Sequence, residues 1–207
     1  MQKLTDSHSS AHALRALRFA ILRLGSRPET AGFAPDVLAA RTALATANDA
    51  LDTAQTARMA ATAEMGWIDQ GIDDTAVQLG LELRALVMGD TNDPRYKRLF
   101  PIAPSEATRP FGGDAQGRFV EVLLQHLDQD DDFATLRHHA EPLRELSVKL
   151  AHASTAREAL YIEEARAEAR RREALDNARR LYNLLYPRLL LTFPEQDGLV
   201  ESFFWKS

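Results

Sequence analysis

The apolar positions of this chain recur with helical rather than strand spacing. Leu14, Leu17, Ile21 and Leu24 follow at intervals of three and four, which places them on one stripe of a helix. Ser9 or Ser10 precedes that stripe and can cap the helix. From Pro35, acceptable in the first turn of a helix, Val37, Leu44, Leu51, Arg58, Met65, Ile72, Leu79 and Leu86 stand seven residues apart. Ala40, Ala47, Ala54, Ala61 and Ile68 come three residues after the first five of these. A large residue at one seam position and alanine at the other lets two helix backbones approach closely. The unbroken phase predicts one helix of roughly fifty residues. Gly66 and Gly71, each costing about 1 kcal/mol against alanine, keep a turn within Gly66–Asp74 as the alternative.

A stop and a restart follow. Gly89 can end the long helix, Asp93 can cap a short one, and Pro94 fits its first position. That short helix carries Tyr96, Leu99 and Phe100. Residues 101–117 hold three prolines and three glycines and read as a linker. Beyond it, Phe119, Val122, Leu123 and Leu127 mark another short helix. A second long helix begins near Phe133 or Pro142. Between Pro142 and Pro187 no glycine or proline occurs, enough for a helix of about 66 Å. Its seam reads Leu143, Leu146, Leu150, Ala153, Leu160, Ala167, Ala174, Ala178, Leu181 and Leu185, with an interruption at Ser154–Thr155 as the alternative.

The two halves resemble each other. Residues 92–100 superpose on residues 196–204, so that Asp93 matches Asp197 as a cap and Tyr96, Leu99 and Phe100 match Val200, Phe203 and Phe204. Pseudo-repeats 10–101 and 117–205 joined by the linker 101–117 are the expected organisation, within one all-α domain spanning 1–207. The expected fold is an elongated, antiparallel coiled-coil-like bundle of two long helices with short helices packed at their ends. The terminal aromatics Phe203, Phe204 and Trp205 then close the end of the bundle by burying about 150–250 Å² each. Exposure of these side chains to a partner is the competing reading.

Composition narrows the chemistry. The chain is 45% apolar and 27% charged with a net charge of −5, so nothing global draws it to nucleic acid or an anionic membrane. It contains no cysteine, which removes disulfides, thiolate zinc sites and cysteine nucleophiles. Arg15, Arg18 and Arg23 interrupt the first apolar stretch, which argues against a signal peptide, and no window reaches the ~20 apolar residues of a membrane span. A cytoplasmic, bacterial protein is the expectation.

Three constellations carry candidate chemistry. His126, His138, Glu141, Glu145 and His152 are close in sequence, and His138, Glu145 and His152 share a helix face, so imidazole and carboxylate could serve a divalent metal. Ligands two turns apart need help from another helix, and the first half offers no matching histidine for a di-iron pattern. The DQDDDF stretch sets Asp128, Asp130 and Asp132 like the first ligands of a calcium loop, but Phe133 and His139 occupy positions where glycine and glutamate belong. A helix-to-helix turn is the simpler reading. Arg166, Arg170, Arg171, Arg172, Arg179 and Arg180 form a basic ridge that could meet phosphate, yet Glu163, Glu168 and Asp176 stand within ion-pair reach along the same helix.

Within the first seam, Arg58 is the lone charge, and antiparallel packing of the rods would bring it near Glu164 or Glu168 as a register-fixing pair. No phosphate loop, nucleophile elbow or zincin motif is present, so no cofactor is called for. The function expected is a non-enzymatic helical scaffold or protein-interaction module that forms a homo-oligomer or joins a larger assembly. A His/Glu metal-binding bundle and a nucleic-acid accessory using residues 166–180 are the alternatives.

Overall fold

A computed structural model describes residues 3–107 and 113–205. Among them every regular element is helical: α1 (Ser10–Gly25), α2 (Pro28–Ala31), α3 (Ala34–Leu86), α4 (Pro94–Leu99), α5 (Pro104–Ala107), α6 (Gly113–Gln129), a 3-10 segment (Asp131–His139), α7 (Ala140–Thr192) and α8 (Asp197–Glu201). No helix among the described residues is long and apolar enough to cross a membrane.

The long elements α3 and α7 are 53 residues each. Neither breaks at Gly66–Asp74 nor at Ser154–Thr155, and α7 includes both Pro142 and Pro187. The ends behave as helix chemistry requires. Ser9 caps α1 by accepting the His12 backbone N–H, and Asp93 caps α4 by accepting that of Arg95. After α3 the chain reverses through two left-handed residues, Met88 (φ 52°) and Gly89 (φ 83°), with the Gly89 N–H returned to the Arg84 carbonyl at 2.8 Å. Asp197 departs from its expected role: it is the first residue of α8, and Gln196 holds the cap position without a side-chain bond. The stretch 101–117 contains α5 and the first turns of α6, while 108–112 lie outside the described residues.

The chain divides into two compact units, Met1–Thr56 with Ile162–Ser207, and Ala57–Tyr161. The first unit is built on α1, the early part of α3, the later part of α7, and α8. Its core includes Leu17, Leu24, Val37, Leu44, Ala178, Tyr182, Leu185, Leu189, Phe193, Val200, Phe203 and Phe204. Alanines 13, 16 and 20 of α1 are buried, which lets that helix lie close against its neighbours. The second unit joins the rest of α3 to α4, α5, α6, the 3-10 segment and the beginning of α7. It buries Met65, Ile72, Leu79, Leu83, Leu99, Phe100, Val120, Leu123, Leu127, Phe133 and Leu143, among others. Burying each large side chain contributes about 1.5–3 kcal/mol, so both cores are substantial.

The seams drift from strict seven-residue spacing. Val87 is buried where Leu86 was expected, Tyr182 where Leu181 was expected, and Val120 where Val122 was expected. A straight helix turns once every 3.6 residues, so a pattern extrapolated at 3.5 slips forward onto Val87 and Tyr182 over several heptads; Val120 belongs to a helix too short for such drift and simply lies outside the expected stripe.

Candidate functional site

The terminal aromatics are consumed by the core of the first unit. Phe204 meets Tyr182 edge to face at 5.2 Å, and Phe203 stacks on Phe193 at 6.3 Å. Trp205 is half-buried; its backbone N–H donates to the Tyr182 hydroxyl at 3.2 Å, and its ring lies 4.9 Å from that of His12. In the second unit Leu99 and Phe100 are buried and Tyr96 is half-buried, with the Tyr96 and Phe119 rings 6.0 and 6.4 Å from that of Phe100.

The charges of the seams find aromatic and ionic company. The Arg58 guanidinium lies over the Tyr161 ring at 5.2 Å, and Arg157 lies over the same ring at 5.4 Å. A hydrogen bond from Arg157, then its charge and that of Arg58, draw the Tyr161 phenol below its ordinary pKa. Glu164 is half-buried. Glu168 receives Arg171 and Arg172, each at 2.8 Å, and is held down to about 2 by those two guanidiniums. Arg171 also donates to the Ser10 hydroxyl at 2.8 Å. Further along the ridge, Arg166 pairs with Glu163 and Arg179 with Asp176.

The DQDDDF stretch is a turn whose carboxylates are all engaged. Asp130 caps the 3-10 segment and pairs with Arg98 at 3.0 Å; Asp132 also meets Arg98; Asp131 pairs with Arg137, and Asp128 with Arg144. Arginines, rather than an arrangement of free oxygens, surround this loop.

Of the five histidines and glutamates singled out from sequence, His138 alone enters a metal-competent cluster among the described residues. Glu141 is paired with Arg144, His126 packs edge-on to Phe133 at 6.3 Å, and Glu145 and His152 are exposed. The cluster consists of Glu82, His138 and His139, whose ligating atoms lie within 4.8 Å of one another. Glu82 sits near the end of α3; the two histidines stand where the 3-10 segment passes into α7. One carboxylate oxygen, Glu82 Oε2, is 3.1 Å from His138 Nε2 and 3.2 Å from His139 Nε2. His139 first, and then His138, hold the Glu82 carboxyl below its ordinary pKa against the opposing effect of desolvation. Sequence spacing could identify His138 but not Glu82, which lies on another helix and is brought in only by folding.

No family model, curated protein or solved structure matches this chain.

Proposed function

We propose that this chain is a non-enzymatic helical module that pairs with a second copy through the outward face of α3 in the second unit. The supporting observation is a row of exposed apolar side chains opposite the core-facing residues, crossed midway by the Gln70–Asp74 hydrogen bond. Met59, Trp67, Val77 and Leu81 are 63%, 77%, 38% and 55% exposed. At 100° per residue they fall within about 80° of one another. Scattered surface leucines are ordinary, but a helical face offering a tryptophan, a methionine and two aliphatic side chains has the composition of an interface. Such a stripe is complementary to itself, which suits a two-fold contact between copies.

Light scattering across a size-exclusion peak tests this reading. The expected mass is twice 23.1 kDa, falling to 23.1 kDa in Trp67→Glu and Leu81→Glu with helicity unchanged. A wild-type monomer over the accessible concentration range, or an oligomer indifferent to both substitutions, overturns it.

The pseudo-repeat gains support from burial as well as from sequence. Val37, Leu44, Ile72, Ala76, Leu79, Leu83 and Val87 of the first half are buried, and the residues 106 positions later, Leu143, Leu150, Ala178, Tyr182, Leu185, Leu189 and Phe193, are buried too; the aromatic motif aligns at 104 positions instead, so the first half would carry two extra residues between its long helix and that motif. Duplication of a short-helix, long-helix, aromatic-helix unit would produce a shared register of this kind.

A further inference from the structure

We propose that Glu82, His138 and His139 form a binding site for a borderline first-row divalent ion of the zinc class. Three observations converge on it. The first is the tautomer of His138. Its Nδ1 stands 3.1 Å from the Thr135 carbonyl, which can only accept, so Nδ1 carries the proton. A neutral ring bonded in this way turns the lone pair of Nε2 outward, and that lone pair faces Glu82 Oε2 at 3.1 Å. Two electron-rich atoms so placed call for a cation between them, either a proton on Nε2 or a metal ion, and titration with zinc separates the two. An imidazole whose other nitrogen donates to a backbone carbonyl is also the usual support of a metal-bound histidine.

The second observation concerns His139. Its side chain is 10% exposed, and its Nε2 is buried without a hydrogen-bond partner. The 3.2 Å approach to Glu82 Oε2 therefore brings the atoms close without the alignment of a hydrogen bond. In its unprotonated form, that buried ring nitrogen would gain from metal coordination the partner it lacks.

The third is the convergence of neighbouring residues. Successive side chains in a 3-10 segment diverge by about 120°, yet the rings of His138 and His139 lie 4.1 Å apart at 37°. Separations of 3.1 and 3.2 Å between nitrogen and oxygen are close to the edge, about 3.3 Å, of a tetrahedron with metal–ligand bonds of 2.0–2.1 Å.

The donor set selects the ion. Two imidazoles and one carboxylate suit zinc, cobalt or nickel, whereas calcium and magnesium prefer oxygen alone. Three protein ligands leave further coordination to water, and the exposed side chains of His138 and Glu82, at 58% and 44%, open the site to solvent.

The test uses the full-length chain after treatment with a chelator. Zinc is titrated by calorimetry, and cobalt is added separately to read its visible ligand-field bands. One equivalent of zinc and bands of a low-coordinate nitrogen–oxygen site are expected. His138→Ala and Glu82→Gln alter exposed side chains and should each weaken binding at least tenfold, with the circular dichroism spectrum unchanged. His139 is left intact, since its replacement would disturb the core. Failure of the folded wild type to take up one equivalent, or uptake retained by both variants, overturns the site.

Discussion

Asn183 grips the backbone of Leu4 with both ends of its amide. The Leu4 N–H donates to Asn183 Oδ1 at 2.9 Å, and Asn183 Nδ2 donates to the Leu4 carbonyl at 2.8 Å. The chain before α1 is thereby fastened to α7 and Leu4 is buried, with Arg179 adding a hydrogen bond to the Asp6 carbonyl at 3.0 Å.

Asn183→Ala should release this segment. Loss of two partly buried hydrogen bonds costs about 1–3 kcal/mol, or a few degrees in Tm for a chain of this size. Amide exchange at Leu4 should accelerate far more than exchange in α1. Asn183→Asp should fail as well, because a carboxylate has no hydrogen to give the Leu4 carbonyl. Unaltered protection of the Leu4 amide in both variants would show that the clamp contributes nothing.

Two glycines of α3 should respond in opposite directions to alanine. A Cβ on Gly80, itself buried, would stand 2.6 Å from the Cγ of half-buried Pro104, and a proline ring yields little. A Cβ on Gly71 would stand 3.1 Å from a Leu146 methyl, which can shift by a few tenths of an ångström. Alanine gains about 1 kcal/mol of helix propensity at either position. At Gly80 the overpacking, typically about 1–3 kcal/mol, should outweigh that gain; at Gly71 it should not. Urea midpoints should therefore rank Gly71→Ala at or above wild type and Gly80→Ala below it. The reverse order would refute the packing argument.

The glycines of α3 also illustrate what the sequence discloses. Gly66 and Gly71 suggested a turn, yet α3 passes through both, because burial of Met65, Ile72, Ala76 and Leu79 outweighs a penalty of about 1 kcal/mol per glycine. The helical class and the capping by Ser9 and Asp93 were legible because they depend on near neighbours. Val87 and Tyr182 were missed because a rigid heptad count does not follow the true helical period. Glu82 was missed for another reason. It lies 56 residues before His138, so only the packing of α3 against the beginning of α7 makes them neighbours.

Asp73 should weaken the fold at neutral pH. It faces Asp69 and Asp74 on its own helix and Gln116 on α6, whose Nε2 donates to it at 3.3 Å. Burial first, then repulsion from the two aspartates, pushes its pKa from 3.8 up to about 6, against the opposing hydrogen bond from Gln116. The folded state thus keeps a proton that the unfolded chain has released, so this contribution is fully present below the unfolded pKa near 4 and lost as pH rises through about 6. Asp73→Asn should be more stable than wild type at pH 7, and the advantage should vanish near pH 4. Thermal melts at both values decide it; no gain at pH 7 contradicts the argument.

Glu168 should show the opposite sign. Hydrogen bonds from Arg171, then Arg172, lower its pKa from 4.5 to about 2, despite a smaller opposing effect of desolvation. Its contribution is present above the unfolded pKa and is lost as pH falls through about 2, because protonation ends the pairing with both guanidiniums. The carboxylate is 28% exposed and Arg172 71%, so solvent screening holds the contribution to about 1 kcal/mol. Glu168→Gln should lower stability at pH 7 and converge with wild type near pH 2. Arg171 distinguishes a local ion pair from a structural joint, since its guanidinium also donates to Ser10 at the beginning of α1. If Glu168 positions Arg171 for that bond, Glu168→Gln and Ser10→Ala should be less than additive when combined, while Glu168→Gln with the distant Gly71→Ala should add. Full additivity in the first pair would separate Glu168 from the attachment of α1 and leave it a surface ion pair alone.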